Sequence, residues 1–142
     1  MNIIAMIINR FNESPQKFSG VVKTIDSSKN VLFKWAVPLN TVNVIKTSLK
    51  VVRTGGTEGD PSSYIIADIL TCAKNIGGKI DMRNMGNTYW MSQMNSYSLR
   101  NNGDGPEDYD GNKIIFSING ANNQQYTWTY ECEIIDSLKV NV

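Results

Sequence analysis

Histidine is absent from the 142 residues. That removes the commonest general base, and with it the Ser-His and Cys-His nucleophile pairs. No GxSxG or SxxK segment is present either. Cysteine is scarce: Cys72 and Cys132 stand far apart, with no CxxC spacing for a metal or redox centre. Buried free thiols are the expectation for both. Charge is modest, 19% of residues with a net of +1, so neither nucleic acid nor an anionic membrane is expected as a partner. The apolar opening, Met1 to Ile8, is too short to span a bilayer and lacks the basic residues of a secretory leader. With Met1 retained, the chain is expected not to be exported by a signal peptide. Internal repeats and low-complexity tracts are also missing.

What is present describes one globular domain, residues 1–142, at 41% apolar content. A chain of this length buries about 68–70% of its unfolded surface, so no metal or disulfide is needed for stability. Its plainest signal is Tyr126–Ile135. Tyr126, Trp128, Tyr130, Cys132 and Ile134 alternate with Thr127, Thr129, Glu131 and Glu133. A period of two, with one apolar and one wet face, predicts an antiparallel strand covering a core.

Asn2–Arg10 reads as a strand apolar on both faces, with Ile3 and Ile7 on one side and Ile4, Met6 and Ile8 on the other. Lys17–Asp26 carries some helical spacing, but its β-branched run and the turn cluster at 26–30 favour a hairpin with 31–37. Val42–Arg53 is a long strand or two short ones, and Thr54–Ser63 a Gly-rich loop. Asp60–Gly78 predicts an amphipathic helix over about 61–76. Asp60 caps it, Pro61 opens it, and Gly77-Gly78 stops it. Ile65, Ile66, Ile69, Leu70, Cys72, Ala73 and Ile76 would fill an arc of about 160°. Shorter strands follow over 79–85, 88–93, 113–119 and 136–142. The expected fold is therefore mainly β (α+β): an antiparallel two-layer sandwich or sheet with one helix packed on it.

Four weak chemical signals stand out. The loop 101–112 gathers Asp104, Asp108, Asp110 and Asn112, oxygens that could surround Ca²⁺, but its glycine and missing distal Glu break the EF-hand pattern. Thr54-Gly55-Gly56-Thr57-Glu58-Gly59-Asp60 resembles a phosphate cradle, yet Glu58 and Asp60 would repel phosphate. Tyr89, Trp90, Tyr97 and Tyr109 could present rings to a glycan. Met82, Met85, Met91 and Met94 suit either a core or an adaptable contact. No catalytic residue and no cofactor is assigned, and the expectation is a non-enzyme.

Charge is split along the chain. Arg10–Arg53 has eight Lys/Arg against two acids; Thr54–Val142 has six against eleven. Either folding mixes the two halves, or a basic face of one subunit meets an acidic face of the next. With the two-sided apolar strand (Ile3, Ile4, Met6, Ile8) and the polar loop holding Glu58 and Asp60, these are properties of an assembly subunit.

In size and element order the helix at 60–78, the hairpin at 79–93 and the strand at 126–135 resemble the virion proteins of tailed bacteriophages. The tail-tube, tail-terminator, neck and head-decoration types are meant. That resemblance implies a non-enzymatic ring or shell subunit without a cofactor. It would contact copies of itself and other virion proteins, and assemble in the host cytoplasm. The alternative is a carbohydrate-binding β-sandwich.

Overall fold

The computed structural model describes residues 16–92, 98–100 and 109–141. Within them run β1 (Lys17–Thr24), β2 (Lys29–Ala36), β3 (Thr41–Gly56), β4 (Tyr64–Ile76), β5 (Lys79–Ser92), β6 (Ser98–Arg100), β7 (Tyr109–Asp110), β8 (Lys113–Asn119) and β9 (Gln124–Lys139). One antiparallel sheet has the order β1-β9-β3-β4-β5. The second has β2-β8-β6, with β7 also pairing β8. The mainly β, two-layer expectation holds.

The alternation in β9 explains why it lies inside its sheet. Tyr126, Trp128, Cys132 and Ile134 all point inward and are buried. Polar ends of the large rings find partners, as buried rings require. Trp128 Nε1 donates to Thr24 Oγ1 at 2.9 Å, and the Tyr130 hydroxyl donates across the sandwich to the Leu32 carbonyl at 2.8 Å. Phe18 of β1 stacks on Phe33 of β2, which stacks on Phe116 of β8, with centroids 5.3 and 4.4 Å apart. Ile45, Leu49, Val51, Ile65 and Ile69 meet Leu32, Trp35, Ile114 and Ile118 in one core. Each such side chain contributes about 1.5–3 kcal/mol through burial.

The ends of the described chain are nested. β1 pairs β9 and β2 pairs β8, so the first and last strand pairs form one antiparallel ribbon. It passes from one sheet to the other between β1 and β2 and between β8 and β9. These crossings are stitched together: Ser27 N donates to Asn122 Oδ1 at 3.1 Å, and Asn119 Nδ2 donates to the Ser27 carbonyl at 2.9 Å. A side chain at Gly120 would put its Cβ 2.4 Å from Thr24 Oγ1.

The helix predicted over 61–76 is not formed; Tyr64–Ile76 is strand β4. Ile65, Ala67, Ile69, Thr71, Ala73 and Asn75 point inward, and Tyr64, Ile66, Asp68, Leu70 and Lys74 outward. The apparent helical arc combined apolar residues from two faces of a strand. Its punctuation has a different meaning too. Ser63 N donates to the Asp60 carbonyl at 3.1 Å, closing a turn with Pro61 second. Gly77 and Gly78 have φ of 60° and 89°, the double left-handed geometry of a two-residue hairpin. Ile, Tyr and Thr also prefer a pleated surface. The Tyr126–Ile134 face accordingly meets the second sheet.

Other boundaries also differ. Residues 17–24 and 29–36 are strands, but they enter separate sheets and form no hairpin. Lys79–Ser92 is one strand whose register shifts opposite Leu70/Thr71. β9 runs on to Lys139. The expected strand at 2–10 lies outside the described residues.

Some of the seventeen asparagines fill particular places. Asn40 and Asn123 take positive φ of 56° and 60°. Asn40 Oδ1 accepts from Gly77 N, and Asn75 Nδ2 donates to the Val37 carbonyl, tying the 37–41 turn to the β4–β5 hairpin.

Candidate interaction face

One face of the five-stranded sheet packs on the core; the other points away from it. Register places its outward residues in rows across the strands. Lys17, Glu133 and Lys46 form one row, continued by Leu70. Ser19, Glu131, Ser48 and Asp68 form the next. Val21, Thr129, Lys50 and Ile66 follow, then Lys23, Thr127, Val52 and Tyr64. The acidic strand β9 therefore sits between two basic ones, where opposite charges stabilise a sheet. This is the mixing of halves; a molecule with one basic and one acidic side is not what these rows build.

Large apolar side chains gather on the same face. Val21, Val52 and Ile66 are 61%, 50% and 51% exposed, and Leu70 and Leu138 also reach solvent. Clusters of this kind on a soluble surface mark contact sites. Two open depressions lie among them. One, of about 440 Å³, is lined by Val52, Pro61, Tyr64 and Ile66. The other, of about 610 Å³, runs past Ser19, Ser48 and Thr129 and is rimmed by Lys50, Asp68 and Glu131. There Ser48 Oγ donates to Asp68 Oδ1 at 2.7 Å.

Of the sites expected from sequence, Ile3, Ile4, Met6 and Ile8 lie outside the described residues, as do Asp104 and Asp108. Asp110 is engaged otherwise. Its carboxylate accepts from Lys34 Nζ at 3.0 Å, and that hydrogen bond holds its pKa below the usual value. Asn112 offers its backbone carbonyl to Val37 N. Among the described residues no group of three acids, cysteines or histidines is placed to hold a metal ion. Glu58 is exposed in a loop fixed by its backbone: Thr57 N and Glu58 N both donate to the Asn123 carbonyl, and Arg53 Nη2 donates to the Gly56 and Glu58 carbonyls. Asp60 accepts from the hydroxyl and N–H of Ser62, which lower its pKa. Both therefore shape the turn that leads into β4.

Tyr109 is half-buried, and its hydroxyl accepts from Met82 N, so it is no exposed platform. Met82 is core and Met85 exposed. Tyr97 and Met94, and the side chains of Tyr89, Trp90 and Met91, lie outside what is described. Cys132 is buried against Thr47 Oγ1 at 3.0 Å, and burial pushes its thiol up to about 12. Cys72 is half-buried on the opposite face of the sheet.

No family model, no curated protein and no solved structure matches the chain. Among the described residues no helix is long and apolar enough to cross a membrane. The residues that sequence reasoning missed are Val21, Val52, Ile66 and Leu70. For Ile66 and Leu70 the signal lay in β4 itself, where Ile65-Ile66 and Ile69-Leu70 put apolar groups on both sides of a strand.

Proposed function

We propose that the chain is a non-enzymatic structural subunit of a larger assembly, a virion protein of the tailed-bacteriophage kind. It works through protein–protein contacts and is assembled in the host cytoplasm. The observation that carries this reading is the outward face of the five-stranded sheet, with Val21, Val52, Ile66, Leu70 and Leu138 exposed across four strands. Leaving that area wet gains nothing for a monomer, and covering it stabilises a complex. Antiparallel two-sheet sandwiches host many unrelated functions, so the architecture is compatible with this role and adds only an analogy of fold.

A second reading has one observation in its favour. Ser19, Ser48 and Thr129 hydroxyls with Asp68, Glu131 and Lys50 around them match the hydrogen-bonding needs of a neutral glycan. Native mass spectrometry with light scattering, at low and high salt, tests the subunit reading. Oligomers or higher assemblies are expected. A monomer at all concentrations that also quenches its tryptophan fluorescence with a glycan panel would replace it by the second.

A further inference from the structure

We infer that the outward face of the five-stranded sheet binds a second copy of this chain, face to face, about a two-fold axis parallel to the strands between β9 and β3. The inference rests on the subunit reading and names the contact surface. An isologous contact needs a patch complementary to itself. The register decides whether this one is. Rotation about that axis lays β9 on the second copy's β3 and β1 on its β4. Glu133 then lies over Lys46 of the second copy, and Glu131 over Ser48. Ser19 lies over Asp68 and Val21 over Ile66. Lys23 lies over the ring of Tyr64, and Leu138 over Val42.

Each coincidence occurs twice by symmetry. Acid meets base, hydroxyl meets carboxylate, apolar meets apolar and cation meets ring. Lys50 over Thr129 keeps its ammonium at the rim by extending its stem across apolar surface. The Asp136 row, over Val44, gains nothing, and neither does Thr127 over Val52 or Lys17 over Leu70, where the lysine must reach past the leucine to the rim. An axis perpendicular to the strands, midway between the Glu133 and Glu131 rows, does worse, because it sets these two carboxylates on each other. Aligned sheets pack at about −30°, so the match is best near the axis, where the charged rows lie. Four strands at about 4.8 Å and the stretch of β3 from Val42 to Val52 give a footprint of about 19 by 33 Å. A standard interface of about 800 Å² per side has this scale.

The experiment is sedimentation equilibrium of the full chain over a concentration series, with circular dichroism to verify folding. It yields dimer dissociation constants for wild type and variants. Wild type is expected to dimerise. Ile66→Glu should weaken the dimer by about tenfold or more. Lys46→Glu and Glu133→Lys should each weaken it, and the double variant should recover most of the loss. In a Cys72→Ser background, Val21→Cys with Ile66→Cys should form intermolecular disulfides under mild oxidation. Dimers or larger oligomers indifferent to Ile66→Glu and to both charge reversals would overturn this face and leave the subunit reading standing. A wild-type monomer at every concentration would overturn the face and remove self-association from the subunit reading as well.

Discussion

β9 and β4 flank the same strand, β3, and share its geometry, yet only β9 was legible as a strand. β9 is apolar inside and wet outside: Trp128 and Cys132 are buried, whereas Thr129 and Glu131 are exposed. β4 is apolar on both sides, with Ile65 and Ile69 buried and Ile66 and Leu70 exposed. A one-sided strand declares its period of two. A two-sided strand erases it and mimics the arc of a helix. The feature that misled the secondary-structure reading is also the feature that marks a face left uncovered among the described residues.

The sharpest way to break this comparison lies in two adjacent residues. In a helix with the arc described, Ile65 and Ile66 would both be buried. In β4 they point opposite ways. Ile65→Ala should cost about 2–5 kcal/mol of unfolding free energy. Ile66→Ala, at low micromolar concentration, should stay within about 0.5 kcal/mol. Urea melts of the two variants measure both values. Equal losses would return Ile66 to the core and remove the exposed face.

The two cysteines sharpen it next. Cys132 points inward from β9 and Cys72 outward from β4, so a thiol reagent should label Cys72 first and Cys132 only on unfolding. A pH effect follows for Cys132. Its thiol titrates near 9.0 when unfolded and is raised to about 12 in the fold by burial. Below pH 9 both states hold the proton and stability is unaffected. Above it the unfolded thiol ionises first, so stability falls as pH rises from 9 toward 12. By pH 10.5 the loss is about 2 kcal/mol. Wild type should show this extra slope relative to Cys132→Ala, and identical slopes would mean that the thiol is reached by water.

Much of the fold was legible, because β9 and the strands at 29–36 and 113–119 show β-branched or alternating patterns that suit a sheet, whereas 17–24 carries helical spacing beside its β-branched run. What was not legible was non-local. Nothing local says that β2 leaves β1 to pair with β8, where Phe33 stacks on Phe116 within the sheet and on Phe18 across the sandwich. Mixing of the charged halves is likewise a property of strand order. The candidate face was half visible. Its apolar residues in β4 were all noticed, but as core, because exposure depends on which sheet face the second layer covers.

Gly77-Gly78 gives the smallest and most local test of the comparison, since one dipeptide serves as a helix stop in the first reading and a hairpin turn in the second. Neither glycine has a neighbour within 4 Å of where a side chain would start, so only the backbone decides. At φ of 60° and 89° both are left-handed, and asparagine is favoured at the first position of such a turn. Gly77→Asn should therefore leave stability within about 0.5 kcal/mol, by reducing the freedom of the unfolded chain as it adds slight strain. Gly78→Val, β-branched where φ is positive, should cost about 1–2 kcal/mol. Thermal melts measure both, and amide exchange across β4 tells the two geometries apart. In the strand, successive amides point alternately to β3 and to β5. Loosening the hairpin with Gly78→Val should speed exchange at every second residue near the turn, those that donate to β5, and spare those held by β3. A helix ending at this dipeptide would lose protection evenly over its last turn, with no alternation.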